Sequence, residues 1–206
     1  YWISLGARHF ILSVGHKYQV IQNYFGDFYG DVPISYAIED RPLGTGGGLI
    51  LATQKLSSPE DFFVLNGDTL VTVPIRAMLE FHRMKDSCLT LALREETHTA
   101  RYGSVVTTSE GQVTTFKEKG GADVPGLINA GVYLFSREAL KAVGYQTAGQ
   151  SLSLEKDIFQ GFLRDDLPVF GFKSNGLFLD IGIPEDYKRA SDFMKVFKLE
   201  TASALH

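Results

Sequence analysis

The sequence predicts an α/β fold with a largely parallel sheet and a more mixed second half, on three observations. Strand-like apolar runs alternate with helical stretches through the first part of the chain, the spacing that gives βαβ crossovers and parallel pairing. The run Phe62-Phe63-Val64-Leu65 then stops at Asn66-Gly67-Asp68. That is the pattern of a strand buried on both faces with a carboxylate at its carboxyl end, where ligands of open α/β sheets bind. Leu177-Phe178-Leu179-Asp180-Ile181-Gly182 has the same design, far away in the sequence. Two such carboxylates, each beside a glycine, suggest one shared divalent-cation site. Taken singly, Asp68 serves equally well as a cap for the segment that follows it.

The elements follow in order. Tyr1 to Arg8 reads as a helix end and its turn, with Gly6 at the C′ position. A strand over 10–14 precedes a helix over 17–25, and Ile34, Tyr36 and Ile38 alternate along a strand over 34–39. Leu43-Gly44-Thr45-Gly46-Gly47-Gly48 opens a helix running to residue 56. The strand at 62–65 and a helix over 75–84 complete the next unit. Beyond it lie a strand over 88–94, a hairpin of 103–108 with 112–117 joined by Ser109-Glu110-Gly111, and a strand over 127–135. Helices over 136–143 and 153–163 follow, the latter capped by Ser153 with Glu155 and Asp157 favouring its dipole. Ser174-Asn175-Gly176 returns the strand 169–173 into the one that bears Asp180. Pro184 starts the last helix, which frays after Lys198. With no linker or repeat, the 206 residues read as one domain.

Composition narrows the chemistry. Apolar residues at 44% and charged residues at 21% are those of an ordinary soluble domain. No apolar run spans a membrane, and no signal segment precedes the first strand. Cys88, the one cysteine, sits in a strand and fits a reducing compartment, so a cytoplasmic location is expected. A net charge of −4 gives no basic footprint for nucleic acid. The histidines lack zinc-ligand spacing, and no Gly-x-Ser-x-Gly elbow supplies a serine nucleophile.

Other polar residues invite two readings each. The Leu43–Gly48 loop lets backbone N–H groups approach a ligand, or is a plain tight turn; it matches neither the Walker A nor the dinucleotide fingerprint. Glu39 just upstream would accept guanine N1–H and N2–H₂ together if the loop held a base, and is otherwise a solvated strand end. Lys119, at the end of the hairpin, suits a phosphate as a compact charge, or is simply a surface residue. Asn129, inside an apolar strand, needs a partner: a sugar hydroxyl or the backbone.

Taken together, Leu43-Gly44-Thr45-Gly46-Gly47, Leu65-Asn66-Gly67-Asp68-Thr69, Arg101-Tyr102-Gly103, Phe116-Lys117-Glu118-Lys119, Ile128-Asn129-Ala130-Gly131-Val132-Tyr133 and Asp180-Ile181-Gly182-Ile183-Pro184-Glu185-Asp186-Tyr187 occur in order. In that order they resemble the sugar-phosphate nucleotidylyltransferases, with a flavour of the mannose and heptose 1-phosphate guanylyltransferases. The resemblance implies a Rossmann-like three-layer α/β/α domain with a mixed, mainly parallel sheet and a β-hairpin insertion. It implies an enzyme that joins a nucleoside triphosphate, GTP by preference, to a sugar 1-phosphate and releases pyrophosphate. Carried over by position, Asp68 and Asp180 would hold Mg²⁺ and Lys119 the sugar phosphate. Glu118, Asn129 and the Gly103 backbone would bind the sugar, with Tyr102 beside it. Glu39, Leu43, Gly44, Thr45 and Gly46 would hold the base. The partners are thus small molecules, with neither nucleic acid nor membrane; a homo-oligomer is compatible with the sequence.

Two departures qualify the match. The family's Gly-Gly-x-Gly-Thr-Arg loop and its later Pro-Lys are not among these residues, a gap of about one βα unit, on the order of 30 residues. Omission from this chain is the favoured explanation, an inactive nucleotide-sugar sensor the other. Ile183 also stands where Thr more often caps the last helix. A use of UTP, dTTP or CTP, and a metal-dependent glycosyltransferase, are the further alternatives; Thr69-Leu70 after Asp68, where an Asp-x-Asp is usual, counts against the latter.

Overall fold

Ile34, Tyr36 and Ile38 alternate with their neighbours at the period of a strand, and that strand organises the first sheet. The computed structural model of the chain describes residues 1–58, 60–117, 123–142, 149–182 and 184–203. They fall into two compact units, Tyr1–Glu60 with Glu138–Gly161, and Asp61–Arg137 with Phe162–His206.

In the first unit β1 (Phe10–Val14) lies parallel to β3 (Val32–Ile38), with Phe10 opposite Ile34 and Val14 opposite Ile38. A short β2 (Phe28–Tyr29) pairs antiparallel with β3. Helix α1 (Tyr18–Phe25) follows β1, and α2 (Gly44–Thr53) packs on β1 and β3 over buried Val14, Ala37, Leu49 and Ile50. The expected helix end at the start is a turn closed by Leu5 N–H on Tyr1 O (3.1 Å), and Gly6 takes φ 101°. Ser153 does act as a cap: its hydroxyl accepts from Lys156 N at 3.1 Å, and Asp157 Oδ2 accepts from Ser153 N at 2.6 Å. The helix it opens begins as a π-helical stretch, Leu154–Phe159, because Ile158 N reaches back five residues to Ser153 O (3.2 Å).

In the second unit β4 (Phe62–Leu65), β6 (Leu89–Glu96) and β10 (Val169–Lys173) share one direction, as their alternation with helices such as α3 (Ile75–Met84) requires. The long β9 (Gly126–Phe135) runs against β4 and β6 and lies between them. Its other neighbour, β7 (Ser104–Thr107), forms the expected hairpin with β8 (Val113–Lys117). The sheet is mixed as expected, but it is not mainly parallel in its pairings: β6–β10 and, in the first unit, β1–β3 are the parallel pairs among the described residues. The reason is β9, whose chain direction turns what would be a β4–β6 parallel pair into two antiparallel ones. From Ile128 onward β9 is fully buried, and its apolar side chains form the core with Leu89, Leu91, Leu93 and Phe162.

Two further strands form a separate ribbon. Thr69-Leu70-Val71 is β5, a strand absent from the sequence reading, and it pairs antiparallel with β11 (Phe178–Asp180), placing Thr69 opposite Asp180. Helices α4 (Arg137–Ala142), α5 (Gln160–Arg164) and α6 (Pro184–Ser203) complete the described residues; α6 continues past Lys198. No helix among them is long and apolar enough to cross a membrane.

Candidate active site

The β5–β11 ribbon is what brings Asp68 and Asp180 together. After β4 the Asn66 N–H is held by Gly131 O (2.8 Å), and the chain turns through Gly67. Gly131 has φ 76° and lies where β9 bulges against β6; a Cβ there would be 3.0 Å from Asn66 Nδ2, so glycine is required. Ile181 N–H then donates to Asp68 O (2.9 Å), extending the ribbon by one rung. Past the strand, Gly182 N–H donates to Asp180 Oδ1 at 2.8 Å. A Cβ built on Gly182 would lie 2.9 Å from Asp180 Oδ1 and 3.6 Å from Asp68 Oδ2. Both carboxylates therefore face the small space that the glycine leaves empty.

This donor set suits a hard divalent cation: oxygen ligands only, from two carboxylates, with room between them. Among the described residues no group of three or more His, Cys, Asp or Glu could hold a metal. Water and substrate oxygens would have to complete the shell. A cavity of about 250 Å³ opens beside the pair, lined by Asp68, Leu70, Leu179, Ile181, Ala190 and Met194 among others.

Tyr102 and Gly103 belong to the same unit. Phe178 and Asp180, two apart on β11, project from one face, and the Tyr102 ring meets Phe178 edge-on at 5.6 Å. Burial pushes the Tyr102 phenol above its ordinary value, with the nearby Asp180 carboxylate adding to the rise against Arg101, so the hydroxyl stays neutral. Gly103 O accepts from Asn129 N (2.9 Å), which fixes the turn to β9.

Asn129 makes the internal bonds that the sequence left open. Its Nδ2 donates to Tyr133 OH (2.8 Å), its Oδ1 accepts from Gly131 N (3.0 Å), and Tyr133 OH donates to Asn66 Oδ1 (3.4 Å). The amide thus braces the turn that leads to Asp68. Glu118, Lys119 and Ile183 lie outside the described residues; the register does place Lys117, just before them, opposite Ser104.

Glu39 and the glycine run form a second cluster, in the first unit. Glu39 Oε2 accepts from Leu43 N at 2.9 Å and Oε1 from Ser13 Oγ at 3.4 Å. The amides of Gly46 and Gly47 are used within the protein, both donating to Leu152 O (2.8 and 3.2 Å). Thr45 Oγ1 accepts from Leu154 N at 2.9 Å. Gly44, at φ 69°, would put a Cβ 2.6 Å from Leu152 O. The run is small because the 150–154 backbone docks on it, a contact with no local signal in the sequence.

Sequence reasoning also missed a buried carboxylate. Asp186, in the first turn of α6 and 7% exposed, accepts from Arg101 Nη2 at 2.6 Å and Arg189 Nη1 at 3.2 Å. Both Arg101 and Asp186 lie in the quoted motifs, but nothing local pairs them.

The nucleotidyl transferase family model matches residues 3–196. A D-glycero-alpha-D-manno-heptose 1-phosphate guanylyltransferase from Aneurinibacillus thermoaerophilus is 39% identical over 186 residues, 90% of this chain and 77% of that protein. A mannose-1-phosphate guanylyltransferase from Mycobacterium tuberculosis is 34% identical over 190 residues, 91% of this chain and 52% of that one. In three dimensions the crystal structure of HddC from Yersinia pseudotuberculosis complexed with GMP-PN matches with a TM-score of 0.78 and 29% identity, over 93% of this chain and 80% of that chain.

Proposed function

The chain belongs to the nucleotidyl transferase family, and from that premise we propose that it transfers guanylate from GTP to a heptose-type or mannose-type sugar 1-phosphate. The observation that carries the proposal is the convergence of Asp68 and Asp180 on the space over Gly182. In this reaction an oxygen of the sugar phosphate attacks the α-phosphorus of GTP. The bond to the β-phosphate bridging oxygen breaks, and pyrophosphate leaves with that electron pair. The sugar phosphate is already an anion at neutral pH, so no general base is needed; the problem is to bring anions together and hold them in line.

Asp68 and Asp180 would hold Mg²⁺, which when bound neutralises phosphate charge and orients the α-phosphate. Tyr102, the Gly103 backbone and Asn129 would bind the sugar, with Glu118 and Lys119 as its remaining partners and the lysine on its phosphate. Leu43 to Gly46 would form the wall against the base. Glu39 has two roles in this reading: it seats the loop through Leu43 N–H, and its remaining lone pairs accept from guanine, since a carboxylate offers about four such sites.

The test is pyrophosphate release by the full-length protein across four nucleoside triphosphates and several sugar 1-phosphates. Release that requires GTP, Mg²⁺ and a heptose or mannose 1-phosphate is expected. Binding without release, or sugar transfer to an acceptor, would overturn the proposal. Glu39→Gln should lower GTP use at least about tenfold more than UTP use, by loss of a charged acceptor pair; an equal loss for both would remove the guanine argument.

A further inference from the structure

We propose that Arg101 is a positioning residue, whose ion pair with Asp186 clasps the Thr99–Gly103 turn to the first turn of α6, just beyond the strand that carries Asp180. The proposal rests on the reading above, in which Tyr102 and Gly103 meet the sugar.

The start of the turn is held by Thr99 Oγ1 on Val124 O (2.8 Å) and Ala100 N on Asp123 Oδ1 (3.2 Å), and its Arg101–Gly103 end by two further anchors. One is backbone: Gly103 O accepts from Asn129 N (2.9 Å), tying the end of the turn to β9. The other is Arg101, which donates through Nη2 to Asp186 Oδ2 at 2.6 Å, six residues beyond Asp180 in sequence. Asp186 keeps only 10% of its side-chain surface exposed, and Arg101, 48% exposed, reaches it from the solvent side. The Arg101 guanidinium also sits over the Tyr102 ring, 5.6 Å from its centroid. Tyr102 in turn meets Phe178, and Arg94 lies 5.7 Å from the Phe178 centroid while donating from Nη1 to Gly176 O. A continuous series of contacts therefore runs from β6 through β11 and the turn to the first turn of α6. Its middle members, Tyr102 and Phe178, share the Asp180 face.

The arrangement gives Arg101 a role that Gly103 cannot cover. The backbone bond fixes where the turn ends, but the direction of Tyr102 depends on its neighbour's guanidinium and on Phe178. Removing Arg101 leaves Asp186 with Arg189, an exposed side chain three residues on (3.2 Å), so the carboxylate is not orphaned and the variant is expected to fold. Lysine at 101 would keep the charge but lose the planar fork and its stacking on the ring.

The experiment compares wild type with Arg101→Met, Arg101→Lys, Asp186→Asn and the Arg101→Met/Asp186→Asn double variant in the full-length protein. Arg101→Met should raise KM for mannose 1-phosphate about tenfold while KM for GTP stays within about twofold, the scale expected of a displaced positioning group. Arg101→Lys should recover part of that loss. The double variant should be no worse than the worse single one, as residues acting as one pair require. Equal rises in both KM values, or additive losses, would overturn the clasp. Hydrogen exchange of residues 99–103 separates this outcome from failure of the functional reading. If wild type turns over no sugar phosphate, the function fails; faster exchange of that turn in Arg101→Met, with β9 unchanged, still supports the clasp, and unchanged exchange overturns it.

Discussion

Gly48 and Gly182 each stand in front of a carboxylate, and the two places have opposite characters. At Gly48 an added Cβ would meet Ser13 Oγ at 2.6 Å and Glu39 Oε1 at 2.7 Å, and that carboxylate is already bonded to Leu43 N–H. At Gly182 the added atom would meet two carboxylates from two strands, Asp180 at 2.9 Å and Asp68 at 3.6 Å. Both arrangements have protein donors, Leu43 N and Ser13 Oγ at the first and Gly182 N at the second, but the first holds a single acid. The second points like charges at one space, which is unfavourable unless a cation is shared between them. A glycine beside an acid is thus no site by itself; what distinguishes Gly182 is the second acid, delivered by a strand pairing.

Three changes sharpen that contrast, and the largest effect is expected at Gly182. Gly182→Ala should lower the rate of pyrophosphate release by about 100-fold or more, because it fills the space proposed for the cation with a methyl group. Its φ is not positive, so thermal stability should change by less than about 0.5 kcal/mol. Near-normal turnover would show that the space is not used.

Gly44→Ala should act in the reverse way. Its φ of 69° and the 2.6 Å approach to Leu152 O predict a loss of about 1–3 kcal/mol in a denaturant midpoint, from strain and a backbone displacement. An unaltered midpoint would contradict the docking account of the glycine run.

The smallest effect is one of pH. Burial pushes the His82 imidazole below its ordinary 6.5, against the opposing pull of Asp61 at 3.7 Å, and its Nδ1 lies 2.7 Å from Thr90 Oγ1. The unfolded chain takes a proton as pH falls through 6.5 while the folded chain resists it. Stability is therefore full above that value and declines as pH falls toward the folded one. The urea midpoint should drop between about pH 7 and pH 5.5, and His82→Gln should flatten the slope; a slope equal in both would exclude His82 as its source.

Much of this was legible in the residues. The alternation of strands and helices, the hairpin around Glu110, the Ser153 cap and the two Asp-bearing strand ends all follow from local chemistry, and the structure has each of them. What was not legible is non-local. The order of strands put β9 between β4 and β6 and replaced the expected parallel pairing. Leu152 docked on the glycine run and consumed its amides. Arg101 found Asp186 across 85 positions. Nothing in the reading of Thr69 to Val71 announced β5 or named β11 as its partner, and that pairing is what brings the two aspartates together.

The most direct measurement is Mn²⁺ binding, followed by water-proton relaxation in wild type, Asp68→Asn, Asp180→Asn and Gly182→Ala. One ion per chain is expected in wild type, lost to a similar extent in each of the three variants. If either aspartate variant binds the ion as wild type does, the two carboxylates do not share it.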